Sequence, residues 1–372
     1  MKKSFLIASW LFSFGNSISS PLISLYIYVT SSMSYTFHFL IINLTSLLFT
    51  YFLAGYLTNF RNNASLYYKL GIALYVAFYI TLLSLNVNTY KFVSYVAALY
   101  GIAQGFYWFG WDILFYNTPK KLDFINRWAY LGYINTLLSP AIYGTFLSLF
   151  QEKGYLFLFL ITSAILFIAM ILMENVNVAG TFNLKDSFAV IVRNKSYRFT
   201  MISVSLVGGY NYIVSNLIPI LLYRIVNRNY FYFAVSNYLL GLLSLLSIYF
   251  GRDKLLKTGK IKPFSIVALS VVALSLSSFS LFFYPLIFLV SYYILSPLIY
   301  PIIDVYNWNN MERKSLSSYL INRQIFLNIS RISSTILVSF FTISEGTVLL
   351  IPVLVAALVL FSRSKSGIKI IE

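Results

Sequence analysis

Long apolar runs that recur along the whole chain constrain its fold more than any other feature of the sequence. A helix of about 20 apolar residues is long enough to cross the hydrocarbon layer of a bilayer. Windows of about 19 residues place such runs at 4–30, 34–58, 68–88, 92–117, 127–150, 155–174, 198–224, 230–250, 263–282, 284–306, 317–342 and 346–362. The sequence therefore predicts an all-α polytopic membrane protein with twelve transmembrane helices.

The composition agrees with this prediction and excludes several classes of protein. Hydrophobic residues make up 59% of the chain, while Asp, Glu, Lys and Arg make up only 10%, against ~25% in soluble domains. Cysteine is absent and His38 is the single histidine, which rules out disulfides, thiolate chemistry and a multi-histidine metal centre. The sequence has no phosphate-binding loop of the G-x-x-x-x-G-K-[ST] type and no clustered catalytic residues. We therefore expect a protein that is not an enzyme and needs no cofactor.

The placement of the cations explains the net charge of +17, so we do not expect nucleic-acid binding. When the loops are assigned alternately to the two sides of the membrane, 21 of the 27 Lys and Arg residues fall on the side of the N-terminus. Four fall on the other side, and Arg323 and Arg331 fall inside a span. Because cytoplasmic loops are rich in Lys and Arg, this bias predicts an even number of crossings in the cytoplasmic membrane, with both termini in the cytoplasm.

The spans form two sets of six, which predicts two pseudo-symmetric six-helix bundles at 1–174 and 198–362, followed by a cytoplasmic tail at 363–372. Corresponding spans share features. GNSISSPLISLY in the first span and GYNYIVSNLIPILLY in the seventh both contain Gly, Asn and then Pro before aliphatic residues and Tyr. Internal repeats of this kind are common in transporters.

The polar stretch at 175–197 is predicted to be a cytoplasmic linker between the bundles. It contains an amphipathic segment with Leu184, Phe188, Ile191 and Val192 on one helical face. We expect this segment to lie along the membrane surface. It is either a plain tether or a regulatory element.

Several short motifs resemble those of the major facilitator superfamily, and the resemblance covers nearly the whole chain. GYLTNFRNN, after the second span, is similar to the family's loop motif G-x-L-x-D-R-x-G-R. We assign Gly55, Asn59 and Arg61 to this motif, with Asn59 where the family has Asp. GRDKLLKTGK, between the eighth and ninth spans, is a second copy with Asp253 at the acidic position.

Two further motifs lie inside the spans. GIAQG keeps Gln104 and Gly105 of the family's R-x-x-Q-G pattern but has Gly101 where the family has Arg, which argues against proton antiport. YINTLLSPAIYGTF resembles the antiporter motif G-P-x-x-G-G at Pro140 and Gly144, which favours export. The resemblance implies a secondary transporter in which two bundles alternate access to a central cavity.

Ionised side chains inside a span need partners or water, because each costs ~2.5 to 3.5 kcal/mol at the centre of a helix. Asp112, Asp304 and Arg323 are predicted to lie near the cytoplasmic ends of their helices, with Asp304 paired to Arg323. That pair is either a structural clasp or a gate that opens during transport. Arg331 is predicted near mid-span, at a depth without a carboxylate. It either binds an anionic solute group or is satisfied by carbonyls, amides and Tyr hydroxyls.

Polar residues near mid-depth are the candidates for the lining of a cavity with aromatic walls. Amides in a bilayer also serve to bridge helices, and both roles remain open for this set. The candidates are Asn16, Gln104, Trp108, Asn135, Asn211, Ser215, Asn216, Asn237, Asn328 and Arg331.

The sequence thus predicts a monomeric secondary or facilitative transporter of a small organic solute, with membrane lipids as its other partner. The solute is expected to be amphiphilic or anionic and to be exported. One alternative is a translocase for lipids or lipid-linked glycans, which needs a groove that opens sideways to the bilayer. Another is a membrane receptor or assembly scaffold without transport, which predicts bundles packed solid.

Overall fold

The computed structural model describes residues 3–60, 63–118, 121–176, 184–254, 263–312 and 316–364, and these are almost entirely helical. The first half contains six long helices. They are α1 (Lys3–Thr30), α2 (Met33–Thr58), α3 (Ala64–Leu85), α4 (Val93–Tyr116), α5 (Lys121–Phe150) and α6 (Gly154–Leu172). Short 3-10 helices, Asn86–Phe92 and Gln151–Lys153, join α3 to α4 and α5 to α6.

The second half begins with a short helix, α7 (Leu184–Arg193), which lies in the predicted linker. The helices that follow are α8 (Lys195–Ile225), α9 (Tyr230–Leu246), α10 (Pro263–Ser278), α11 (Pro285–Asn309), α12 (Leu316–Ser339), α13 (Ile343–Leu349) and α14 (Ile351–Ser362). A π-helical segment, Ser247–Lys254, extends α9. The helix breaks at Leu350 between α13 and α14, where Pro352 enters the first turn of α14 without an N–H to donate.

Each of the twelve predicted spans coincides with one long helix or, for the last, with α13 and α14 together. By length and hydropathy, nine segments of the described residues are candidate membrane spans. Two of the nine, Ala64–Phe115 and Ile134–Leu172, each extend over parts of two helices. α12 is not among them because it carries Arg323 and Arg331 in a sequence of low hydropathy. The chain is therefore a multi-pass helical membrane protein, and the count of twelve crossings stays a prediction.

The helices group into two compact units, one within 1–182 and 222–238 and the other within 183–221 and 239–372. Residues 222–238 were expected in the second bundle. They group with the first unit because the turn between α8 and α9 packs against α5 and α6. Tyr230 lies edge-on to Tyr155 with ring centroids 6.1 Å apart, and Phe233 contacts Tyr143 at 6.1 Å.

Close helix contacts in the first unit depend on small residues. Gly101 and Gly105 lie one turn apart on α4 and face α2. A Cβ at Gly101 would lie 2.7 Å from Cβ of Ser46, and one at Gly105 would lie 2.6 Å from Cβ of Thr50. Two glycines four residues apart let helix backbones approach closely in a membrane. The GIAQG motif, interpreted above through its likeness to a family pattern, therefore has a packing role.

Gly101→Val should destabilise the protein by about 1 to 3 kcal/mol, because the added methyl groups overfill the contact between α2 and α4. Gly132→Ala is a matched control, since no described atom lies within 4 Å of a Cβ placed at Gly132. The control should leave the midpoint of thermal unfolding in detergent unchanged or raise it. Equal midpoints for the two variants would contradict this packing role.

In the second unit, α7 packs against α12. Nδ2 of Asn322 donates to the backbone oxygen of Ser187 at 2.7 Å, and Val190 belongs to a buried cluster that includes Tyr197 and Tyr319. The face of α7 that packs on protein is therefore the one carrying Ser187 and Val190. The predicted apolar face is divided: Ile191 packs against this cluster, whereas Phe188 is 61% exposed and Val192 is 75% exposed.

Candidate functional site

The Asp304–Arg323 contact expected from the sequence is present between α11 and α12. Nη2 of Arg323 lies 2.9 Å from Oδ1 of Asp304, and Nε of Arg323 donates to the same oxygen at 3.3 Å. The side chains are 10% and 19% exposed for Arg323 and Asp304 respectively. Both charges are thus largely removed from solvent and compensate each other.

Two aromatic residues that the sequence analysis did not single out contact the Asp304–Arg323 pair. Nε1 of Trp308 donates to Oδ2 of Asp304 at 3.1 Å, and the guanidinium of Arg323 lies 5.3 Å from the Trp308 ring. Nη2 of Arg323 also donates to the Tyr300 hydroxyl at 3.4 Å. Trp308 and Tyr300 are spaced at four residues on either side of Asp304, a spacing that places all three on one face of a helix.

Arg331 lies two turns further along α12 and has a different environment. Its guanidinium lies 5.4 Å from the Tyr212 ring on α8, a contact that attracts a cation electrostatically. Its Nε is buried without a hydrogen bond. In the part of the chain that the structure describes, Arg331 has no carboxylate partner.

A close approach of α8 and α12 positions Arg331 beside Tyr212. A Cβ at Gly209 would lie 2.9 Å from the Ser330 carbonyl oxygen and 2.9 Å from the Ser334 hydroxyl, so α12 crosses α8 at this glycine. Tyr212 follows Gly209 by three residues, which brings its ring to the side of α8 that Arg331 reaches. No local sequence pattern indicates this long-range contact.

The polar residues on either side of Tyr212 on α8 differ in their hydrogen-bond partners. Ser215 is exposed, and its hydroxyl donates to the backbone oxygen of Tyr212 at 3.0 Å. Nδ2 of Asn216 donates to the same oxygen at 2.8 Å. Asn211 is partly exposed, and among the described residues its amide makes no hydrogen bond. Asn211 is therefore the amide of this helix whose donors and acceptor are most available to a ligand.

Two other candidates in this half bond to their own helices. Nδ2 of Asn237 donates to the Phe233 oxygen at 3.0 Å, and Nδ2 of Asn328 donates to the Gln324 oxygen at 2.8 Å. Both residues are buried. Oδ1 of Asn328 is buried and accepts no hydrogen bond from the described part of the chain. Among the described residues Asn328 makes no hydrogen bond to Arg331, although it was one of the groups expected to satisfy that side chain.

In the first unit, two candidate amides bridge helices. Asn135 on α5 accepts from Nε1 of Trp10 at 3.1 Å and donates to the Ser13 hydroxyl at 3.2 Å, and it is only 4% exposed. Asn16 on α1 accepts from the Tyr79 hydroxyl on α3 at 3.3 Å. These contacts match the helix-bridging alternative for buried amides.

Gln104 and Trp108 lie one turn apart on α4, and both are partly exposed. The Trp108 ring meets Trp111 edge-on at 5.9 Å. Trp111 in turn contacts Trp128 on α5 at 6.0 Å. α4 thus presents an aromatic surface on the side of Trp108, and its role as the wall of a cavity stays a prediction.

Asp112 is a buried carboxylate near the end of α4, 3% exposed. Its Oδ2 accepts a hydrogen bond from the Tyr51 hydroxyl on α2 at 2.8 Å. A hydroxyl donor stabilises a buried carboxylate. Asp112 therefore contributes to the contact between α2 and α4, and its predicted role beside a gate stays a prediction.

The predicted loop motifs are only partly visible. Gly55 is buried within α2, and Asn59 is exposed and ends this helix. Arg61 lies outside the described residues. Asp253 lies in the π-helical segment, and its side chain is outside the described part of the chain. Whether these residues form loop contacts typical of the family stays untested.

A cleft of about 290 Å³ lies within the second unit, between α8, α12 and the break at Leu350. Its walls are mostly apolar, with several serine hydroxyls. The lining residues include Ile202, Ser205, Phe326, Ser333, Leu337 and Val353. Ser333 and Leu337 are exposed, so the cleft is open along α12. Within the described residues, no group of three or more His, Asp or Glu side chains is placed to hold a metal ion.

No protein-family profile matches the chain. An uncharacterized protein encoded in the sodM 3′ region of Geobacillus stearothermophilus is 28% identical over 117 residues, which is 30% of this chain and 53% of that protein. The chain thus spans about half the length of this relative. The uncharacterized protein YqgE of Bacillus subtilis (strain 168) is 21% identical over 349 residues, which is 87% of this chain and 78% of that protein.

The similarity to solved structures defines the class: a polytopic membrane protein with the major facilitator superfamily fold. The nucleoside transporter NupG matches with a TM-score of 0.68 and 15% identity, over 99% of this chain and 100% of that one. The peptide transporter POT in complex with sulfate matches with a TM-score of 0.70 and 12% identity, over 96% and 93% of the two chains. The fold predicted from the motifs is therefore confirmed, at identities that show the fold alone.

Proposed function

We propose that this chain is a transporter that moves a small organic solute with an anionic group across the cytoplasmic membrane by alternating access. The observation that carries the anionic part is Arg331. A guanidinium held against Tyr212, with an enclosed Nε that lacks a hydrogen bond, is suited to two-point binding of a carboxylate or phosphate group. Because no described carboxylate compensates it, binding of an anion supplies the missing partner.

Asn211 supplies a second polar contact for such a solute. It adjoins Tyr212 in the sequence, and its amide is free of hydrogen bonds within the described residues. An amide offers both donors and an acceptor, so it suits a polar group next to the anion. The folds of NupG and POT support transport as the activity, and POT has been solved with sulfate, an anion.

The binding part of the proposal is tested by thermal unfolding with and without carboxylates and matched neutral amides. Carboxylates should raise the midpoint of the wild-type protein. Asn211→Ala should keep its own midpoint but lose most of the ligand shift, since it gives up a ligand contact and no internal bond. Asn135→Ala is the control: it should unfold about 1 kcal/mol more easily, because it loses the Trp10 bond, and keep the ligand shift.

If both asparagine variants keep the full shift, Asn211 is not a ligand contact. If neutral amides raise the midpoint as much as carboxylates do, the charge of the solute is not recognised. We also propose that the solute is exported, as the sequence motifs favour, and this direction is tested separately by comparing flux in vesicles of the two orientations. Faster flux from the cytoplasmic face supports export, and equal flux contradicts it.

A second candidate function is translocation of an amphiphile or lipid, which the cleft of about 290 Å³ favours. Its apolar walls suit a hydrocarbon chain, and its exposed border along α12 allows a chain to enter sideways. This function predicts that Ser333→Phe, which narrows the cleft, slows movement of a fluorescent phospholipid between leaflets. The solute transporter predicts unchanged lipid movement and unchanged solute flux in that variant.

A further inference from the structure

The linker helix α7 has two faces with opposite environments. Ser187 and Val190 face α12 and are buried. Phe188 and Val192, one turn apart, face away from the protein and are 61% and 75% exposed. Two neighbouring exposed apolar side chains gain free energy when they leave water. The stripe is therefore suited to an apolar environment outside the chain.

The position of α7 identifies that environment. Only Asn194 separates the end of α7 from α8, and α8 forms a candidate membrane span, Lys195–Ile225. At 1.5 Å per residue, a helix of 31 residues is about 46 Å long, longer than a hydrocarbon layer of about 30 Å. The first turn of α8 and the adjoining α7 thus lie at the boundary between lipid and water.

Cations follow the exposed stripe at the C-terminal end of α7 and in the first turn of α8. Arg193 and Lys195 are both exposed, at the junction of α7 and α8. Arg198 follows one turn later, with its guanidinium 5.8 Å from the Phe199 ring. An apolar stripe bordered by cations is the pattern of a helix that lies in the headgroup layer of an anionic membrane.

α7 cannot leave this position without breaking buried contacts. Nδ2 of Asn194 donates to the Asn310 oxygen at 3.0 Å and to the Tyr319 hydroxyl at 3.3 Å. The Tyr197 hydroxyl donates to the Tyr319 oxygen at 2.7 Å. Together with the bond between Asn322 and Ser187, these contacts tie α7 and the start of α8 to the end of α11 and the start of α12, which carries Arg323.

We propose that the exposed face of α7 is a binding surface for anionic phospholipids, with Phe188 and Val192 in the interface and Arg193, Lys195 and Arg198 on the headgroups. Lipid binding holds α7 against α12, and α12 carries Arg323 of the pair with Asp304. The lipid surface thereby stabilises the segment on which this ion pair is built. This inference depends on the membrane location of α7 and is independent of what the chain transports.

The absence of cysteine allows a direct test on the full chain. Val192→Cys is labelled with a solvatochromic fluorophore, and the protein is reconstituted into phosphatidylcholine vesicles with or without phosphatidylglycerol. Leu160→Cys, at a 58% exposed residue within a candidate span, is the lipid reference. Asn88→Cys, in the exposed turn between α3 and α4, is the water reference.

The label at 192 should emit between the two references and shift towards the lipid reference when phosphatidylglycerol is present. Adding Arg193→Gln and Lys195→Gln should weaken this dependence, by about fivefold in lipid partitioning for each cation lost. Phe188→Cys serves as a second label site if Val192→Cys does not fold. Emission equal to the water reference in both lipids overturns the proposal. A lipid-like emission that is the same in both lipids overturns its anionic part.

Discussion

Arg331→Gln should reduce transport of anionic solutes by about 10- to 100-fold, because a charge-assisted hydrogen bond contributes about 1.5 to 3 kcal/mol. Gln keeps the polarity and part of the length of Arg but removes the charge and the two-point fork. Arg331→Lys should give an intermediate flux, since it keeps the charge without the fork. The measurement is initial flux of a carboxylate into vesicles of equal protein content.

The same substitution should not destabilise the protein. Arg331 keeps an enclosed Nε without a hydrogen bond, so replacing it removes a desolvated charge that no described carboxylate compensates. We expect the midpoint of thermal unfolding to stay the same or rise. A loss of transport with unchanged or increased stability is typical of a binding residue.

Arg224→Gln is the matched control, because Arg224 is an exposed arginine at the end of α8. It should change neither flux nor stability. Two outcomes would contradict the assignment of Arg331 to solute binding: full carboxylate transport by Arg331→Gln, or a marked drop in the stability of that variant. The second outcome would instead assign Arg331 a structural role.

Asp304→Asn should have the opposite signature and lower the free energy of unfolding by about 3 kcal/mol. The substitution leaves Arg323, whose side chain is 10% exposed, without its anion. Removing one partner of a buried pair is costly because the other charge remains desolvated. Thermal unfolding in detergent measures the loss.

The double variant Asp304→Asn with Arg323→Met distinguishes the contribution of the ion pair to stability from the contributions of its two side chains. It should regain much of the lost stability, since it removes the unpaired charge and places an apolar chain beside Trp308 and Tyr300. Losses that simply add in the double variant would mean that the two side chains do not act as a pair. Transport by the double variant then distinguishes a clasp from a gate: a clasp predicts near-normal flux and a gate predicts altered flux.

The fold could be predicted from the sequence because its signals are local. Apolar runs of about 20 residues locate helices by length alone, and the twelve predicted spans match helices or, for the last, the pair α13 and α14. The Asp304–Arg323 contact was also predictable, since both residues were placed at similar depth on consecutive helices. The number of membrane crossings was harder to predict from the sequence, because α12 carries two arginines and does not have the hydropathy of a span.

The candidate site was harder to predict because its contacts join residues far apart in the chain. Nothing near Arg331 indicates that Tyr212 lies against it, and the close approach at Gly209 that brings them together depends on tertiary packing. The amides show the same limit. Asn135 and Asn211 are alike as residue types at mid-helix, yet Asn135 bridges α1 and α5 while Asn211 makes no hydrogen bond among the described residues.

The linker helix illustrates a further limit. The spacing of Phe188 and Val192 correctly indicated an amphipathic helix, but periodicity does not tell which face packs on protein. The structure places Ser187 and Val190 against α12 and leaves Phe188 and Val192 exposed. GIAQG is a similar case. The four-residue spacing of Gly101 and Gly105 is typical of a close helix contact, but the resemblance to the family pattern did not suggest this packing role.

The most direct test of the central claim is flux in vesicles that contain the purified wild-type protein, with a panel of labelled carboxylates and their neutral amides. The account predicts saturable movement of at least one carboxylate, absent from protein-free vesicles and strongly reduced by Arg331→Gln. It is contradicted if no carboxylate moves faster than its amide, or if the wild-type protein and Arg331→Gln give the same flux for every compound that moves.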